Sequence, residues 1–173
     1  VTERAPAPGG LALVQRLVNT VDLDTGEDSL DDEKVRRELG ITADGTGQAR
    51  ELREALRAAC LAHAGHPPHQ PVRPLGELLA QAPLFIDVDG ATGAAALHPA
   101  DPDPLTSRIA AAIAQGVTDG SWLRLKACHA PDCHWAFYDR SPAGRGRWCV
   151  MSVCGSRSKM RAYRARRAGG VPD

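Results

Sequence analysis

Cys128-His129-Ala130-Pro131-Asp132-Cys133 and Cys149-Val150-Met151-Ser152-Val153-Cys154 are two Cys-x4-Cys pairs separated by fifteen residues. Four soft thiolates at tetrahedral angles suit one structural Zn2+ ion. With sulfur at every position, no site remains for an activated water, so the implied role is architectural and not enzymatic. Between the pairs, Trp135-Ala136-Phe137-Tyr138 reads as a strand, Ser141-Pro142-Ala143-Gly144 as a turn and Arg147-Trp148 as the return. This predicts a hairpin with a ligand pair at each end, then a helix from Gly155 to about Ala168. Knuckle, hairpin and ligands at a helix start make a treble-clef-like order. A module of about 45 residues buries too little surface to fold alone, so the metal would supply much of its folding free energy. The alternative for these cysteines is a set of buried or redox-active free thiols. His129 and His134, each beside a cysteine, are the residues that could replace a sulfur in a mixed site.

The helix after Cys154 carries Arg157, Lys159, Arg161, Arg164, Arg166 and Arg167. At helical spacing Arg157, Arg161 and Arg164 share a stripe, Lys159 and Arg166 lie nearly opposite, and Met160 with Tyr163 mark a narrow packing face. Arg140, Arg145 and Arg147 in the hairpin enlarge the patch. The planar guanidinium fork matches both phosphate oxygens and the O6/N7 edge of guanine, so all nine cations are candidate DNA contacts. A solvated basic tail is the plainer alternative.

Working outward, charge divides the chain. The 173 residues hold 21 basic and 21 acidic side chains, a net of zero. Residues 1–123 nevertheless hold 18 acidic against 10 basic, and residues 124–173 hold 3 against 11, giving −8 and +8. An acidic body with a basic appendage points to a polyanion partner. No run reaches the ~18 apolar residues of a membrane span, and the start lacks a signal peptide's apolar segment, so a cytoplasmic protein without membrane contact is expected. Clustered cysteines in such a reducing compartment favour metal over disulfides.

The body reads as mostly helical. Residues 1–10, with Pro6, Pro8, Gly9 and Gly10, are expected to form a flexible arm. Apolar periodicity predicts helices over Leu11 to about Val21, from a cap at Ser29 or Asp31 to Leu39, over Gly47–Ala64, Leu75–Gln81 and Leu105–Gln115, the last stopped by Gly116. Leu84–Asp89 and Ala94–His98 read as a hairpin around Gly90-Ala91-Thr92-Gly93. Near residue 123 acid gives way to Cys, Arg and aromatics. The expected fold class is therefore α+β: a helical domain with a β-hairpin over 11–123, a small finger over 124–168, and a tail over 169–173.

Cys128-x4-Cys133, Trp135-Ala136-Phe137, Asp139-Arg140-Ser141, Arg147-Trp148-Cys149, Cys154-Gly155-Ser156-Arg157-x-Lys159 and Tyr163-Arg164-x-Arg166-Arg167 together resemble the CGNR zinc finger. The resemblance departs at one position, where Ser156 stands in place of the family's Asn. Leu17-Val18-Asn19-Thr20-Val21-Asp22, Leu52-Arg53-Glu54-Ala55-Leu56 and the first hairpin resemble the helical ABATE domain that usually precedes such fingers. The resemblance implies a bacterial, stress-induced transcription regulator, with DNA bound by the finger and a body that senses a small effector or dimerises. The competing reading is a protein- or RNA-interaction module without sequence-specific DNA binding.

Other signals point less far. Cys60-x2-His63-x2-His66-x2-His69 is broken by Gly65 and Pro67-Pro68, so a buried Cys60 with solvated histidines is expected. Asp22-x-Asp24-x-Gly26 lacks the glycine and the ligand pattern of a calcium loop. Asn19 in an apolar helix reads as a satisfied buried polar group.

Overall fold

The computed structural model describes residues 5–168. The tail expected at 169–173 and the first four residues of the expected arm lie outside the described residues. In chain order come α1 (Leu11–Val18), a 3-10 turn (Ser29–Asp31), α2 (Glu33–Leu39), α3 (Thr46–His63) and α4 (Leu75–Leu79). There follow β1 (Leu84–Val88), β2 (Ala95–Pro99), α5 (Leu105–Thr118), a 3-10 turn (Trp122–Arg124), β3 (Leu125–Ala127) and β4 (Ala136–Tyr138). A single π turn, Met151–Gly155, leads into α6, Ser156–Ala168. The class is α+β, with two separate two-stranded antiparallel sheets, β1–β2 and β3–β4. Among the described residues, no helix is long and apolar enough to cross a membrane.

The core forms where helical periodicity puts apolar side chains on one stripe. Leu11, Val14, Leu17 and Val18 of α1, Leu52, Leu56 and Leu61 of α3, and Leu105 and Ile109 of α5 all lie in one buried cluster. Asp32 caps α2 by accepting the Lys34 N–H at 2.8 Å, which displaces the caps expected at Ser29 or Asp31. Asp28 instead caps the preceding 3-10 turn. Helix α5 runs through Gly116 and does not stop there. A Cβ at Gly116 would lie 3.2–3.3 Å from both Leu11 δ-carbons and from Ser121 Oγ, so this glycine serves close packing.

Residues 5–10, expected as part of a flexible arm, are held against the protein. Ala7 is buried, and its N–H donates to Gln15 Oε1 at 2.6 Å. Arg140 donates to the carbonyls of Ala5 and Pro6 at 3.4 and 2.8 Å.

The composition change near residue 123 is not a spatial break. Leu125, Ala127 and Ala136 of β3 and β4 belong to the same apolar cluster as Leu17 and Leu56. Strand pairing also differs from expectation. β4 pairs with β3, in the register Leu125↔Tyr138, Lys126↔Phe137 and Ala127↔Ala136, and not with a strand at Arg147-Trp148. The cysteine knuckle is consequently the connection inside this hairpin, while 147–148 meets it through the backbone bond from His129 N–H to the Arg147 carbonyl at 2.9 Å and through side-chain contacts with His129. Side-chain alternation then divides the work of β4: Ala136 enters the body's core, and Phe137 enters a second cluster with Cys128, Cys149 and Cys154.

The β1–β2 hairpin packs along α5 through β2 but adds no side chain to this buried cluster. Ile86, Val88 and Leu97 share one face and are exposed. Asp89 caps the connecting turn, its Oδ1 accepting from the N–H groups of Ala91 and Thr92 and from Thr92 Oγ.

Candidate metal centre and nucleic-acid face

Cys128, Cys133, Cys149 and Cys154 converge, with all four sulfurs within 4.8 Å of one another. Cys149 Sγ lies 3.6 Å from both Cys133 Sγ and Cys154 Sγ. A tetrahedron with metal–sulfur bonds of about 2.3 Å has sulfur–sulfur edges of about 3.8 Å, so the cluster already has the dimensions of a four-thiolate metal site. Local structure explains the convergence. Cys128 extends the β3–β4 ladder by donating to the Trp135 carbonyl at 3.0 Å, and Cys133 turns back by donating to Ala130 at 2.9 Å. At the π turn the Val150 carbonyl accepts from both the Cys154 N–H at 2.9 Å and the Gly155 N–H at 3.4 Å, which closes the chain between Cys149 and Cys154.

Crowding splits the thiols electrostatically. Hydrogen bonds from Cys133 and Cys149 pull Cys128 down to about 2. The same bond to Cys128 pushes Cys133 far up, and that to Cys128 raises Cys149 to about 12; burial raises Cys154. A divalent cation bound here would take all four sulfurs as thiolates and so override these opposed shifts.

The neighbouring histidines serve the scaffold. His129 stacks between His66 and Trp148, with ring centroids 3.6 and 5.1 Å away, and its Nδ1 accepts from Arg147 Nη2 at 2.8 Å. His134 has φ +45°, a conformation uncommon for a side-chain-bearing residue. That geometry is held by His134 Nδ1 against the Cys128 carbonyl at 3.0 Å and by Arg57 Nη1 donating to the His134 carbonyl at 3.0 Å. Neither histidine joins the sulfur cluster, which corrects the mixed-ligand alternative. Cys60 lies in the body's core, its thiol pushed up to about 12 by burial, and His63 Nδ1 contacts the Leu125 carbonyl at 2.7 Å.

The nine candidate DNA contacts separate into distinct populations. Arg140 clamps residues 5–6 and lies over the Tyr138 ring, and Arg147 is engaged with His129 and Trp148. Arg157 and Arg161 face Asp132, and Arg167 lies over Tyr163. Among the described residues, Arg145, Lys159, Arg164 and Arg166 make no side-chain ion pair. The structure therefore brings the α6 cations to one exposed helix and assigns Arg140 to holding the fold.

Sequence reasoning gave no role to the group that shapes the loop before Cys149. Asp139 is 2% exposed. Its Oδ1 accepts from Ser141 N–H and Oγ at 3.1 and 2.7 Å, and its Oδ2 from Lys126 Nζ and Gly146 N–H at 3.0 and 2.7 Å. Lys126 also donates to the Gly144 carbonyl. The Asp-x-Ser spacing, which favours a side-chain-capped turn, is the sequence signal that could have found it.

These features define a four-cysteine metal finger built into an α+β body. Residues 124–167 match the CGNR zinc finger family. No curated protein matches the chain.

Proposed function

We propose that the chain binds duplex DNA through a Zn2+-held finger and acts as a stress-responsive transcription regulator of bacterial, cytoplasmic type, by binding and not by catalysis. The observation that carries this reading is the exposed, acid-free set of Lys159, Arg164 and Arg166 on α6, a helix that starts next to the Cys154 ligand. One structural Zn2+ on Cys128, Cys133, Cys149 and Cys154 fixes that start, and the cations of α6 meet phosphates. The ABATE-like body holds the finger directly, so an effector or a second copy bound there acts on the finger through α1 and α3.

A fluorescence titration of a labelled duplex across a salt series tests the reading. Neutralising five or six phosphates gives a slope of log affinity against log salt of about −5. Absence of duplex binding, or binding indifferent to salt, overturns it. A second reading, an RNA- or protein-interaction finger, draws on exposed Met151, Val153 and Met160 beside the arginines. Single-stranded RNA bound more tightly than duplex in the same titration would favour it.

A further inference from the structure

Two of the α6 arginines already hold an anion. Arg161 Nη2 and Nη1 lie 3.3 and 3.4 Å from the two carboxylate oxygens of Asp132, and Arg157 Nη1 lies 4.0 Å from Asp132 Oδ2. Arg157 Nη1 is also 3.8 Å from Asp24 Oδ2, on the loop that follows α1. Arg157 and Arg161 are four residues apart, about 6 Å along the helix axis. The Asp132 carboxylate therefore marks a position reached by two guanidinium groups at once. A phosphate offers guanidinium the same two-oxygen edge as a carboxylate.

The contacts are also suited to exchange. Asp132 is anchored inside the knuckle, yet its side chain is 33% exposed, and those of Arg157 and Arg161 are 53% and 47% exposed. Water-screened pairs of this length hold weakly. Resting on the reading of α6 as the nucleic-acid face, we propose that Arg157 and Arg161 form a phosphate seat which Asp132 fills in the free protein, with Asp24 of the body as a second competitor. A backbone phosphate enters by replacing the carboxylate. The seat discriminates against weakly bound polyanions, and the body reaches the finger through Asp24.

The test compares the full-length wild type with Asp24→Asn/Asp132→Asn and with Asp44→Asn/Asp87→Asn, a control that makes the same change in net charge at two exposed carboxylates with no ion pair. Each protein is titrated with a mixed-sequence duplex and, separately, with heparin. The Asp24/Asp132 variant is expected to bind both about three- to tenfold more tightly than the control, the range set by two exposed ion pairs. The gain should vanish when Arg157→Ala/Arg161→Ala is added. Because Asp132 adjoins a metal ligand, Asp24→Asn alone is included and should show a smaller gain in the same direction. Affinity equal to that of the control overturns the seat, and so does weaker binding, which would make the carboxylates supports for the arginines. Tighter heparin binding with no duplex binding by any of the proteins would refute the DNA reading and leave the seat as a polyanion site. Intact duplex binding with no difference from the control would refute the seat alone, and no binding of either probe would refute both.

Discussion

Asn19 and Ala136 meet edge to edge: Asn19 Nδ2 donates to the Ala136 carbonyl at 2.9 Å, and Asn19 Oδ1 accepts the Ala136 N–H at 2.7 Å. The hydrogen-bonded pairs of the β3–β4 ladder, seen at Cys128–Trp135 and Asp139–Arg124, leave the polar groups of Ala136 on the far edge of β4. Asn19 covers that edge as a neighbouring strand would. Gln15 Nε2 adds a bond to the same carbonyl at 3.3 Å. The body thus treats the finger's strand as its own.

Removing this amide should loosen body and finger together. Asn19→Ala leaves the Ala136 N–H without a partner and its carbonyl with only the longer bond from Gln15 Nε2, at a cost of about 1–3 kcal/mol. Asn19→Asp should cost at least as much at neutral pH, because a carboxylate then faces the Ala136 carbonyl, and should recover as acid makes the carboxyl a donor. Denaturant curves followed by tryptophan fluorescence and far-UV circular dichroism check this. Coincident transitions at a lower midpoint are expected; an early transition of the finger alone would show that the two parts fold separately.

Asp139 makes the loop before Cys149 acid-sensitive. Burial raises its pKa, but Ser141, Lys126 and the N–H groups of Gly146 and Ser141 outweigh burial and hold it well below the usual carboxylate range. A depressed folded value means that the stabilisation is complete above the unfolded value of about 3.9 and is lost as pH falls through the folded one. Wild-type stability should therefore drop more steeply below about pH 4 than that of Asp139→Asn. At neutral pH, Asp139→Asn leaves Lys126 buried without its counter-charge, a loss of about 3–5 kcal/mol. Gly146→Ala should act on the same group, since a Cβ there would stand 2.7 Å from Asp139 Oδ1. Denaturation midpoints across pH for the three proteins decide the matter.

Metal removal should unfold part of the chain and spare the rest. Elemental analysis should give one zinc equivalent in the wild type and less in Cys128→Ala and Cys149→Ala; a full equivalent retained by both would exclude the four-sulfur site. With β3 and β4 seated in the same apolar cluster as α1 and α3, chelation should cost the order of the second cysteine pair and α6 first. Hydrogen exchange is expected to accelerate over 149–167 and stay slow in α3. Loss of protection everywhere would mean that the metal holds the body as well.

The local features of this protein were legible and the long-range ones were not. Cysteine spacing exposes a ligand set because each pair lies within one turn, and the apolar rhythm of α3 needs no knowledge of its partners. The strand Leu125-Lys126-Ala127 is not legible because its central lysine reads as solvated, whereas Asp139, thirteen residues on, and the Gly144 carbonyl together satisfy it inside the protein. Gly116 reads as a helix stop until Leu11 is placed against it. For Asn19 the sequence suggested a satisfied polar group, without the strand edge that satisfies it. A count of arginines cannot separate Arg140, committed to the carbonyls of Ala5 and Pro6, from Arg164, which carries no ion pair.

That separation yields the last expectation, and it sets charge against position. Lys159→Ala/Arg164→Ala/Arg166→Ala removes three exposed cations from α6, and every phosphate left unneutralised should make the salt slope less negative by about 0.9. The triple variant should bind duplex DNA more weakly, with a slope shallower by about 2–3 and little change in thermal stability. Arg140→Ala should do the reverse. It releases residues 5–6 and the Tyr138 ring, so melting falls while the salt slope stays near that of the wild type. Paired titrations and melting curves separate the two roles. If Arg140→Ala shallowed the slope and the triple variant did not, the polyanion face would lie on the loop after β4 and α6 would be a structural strut.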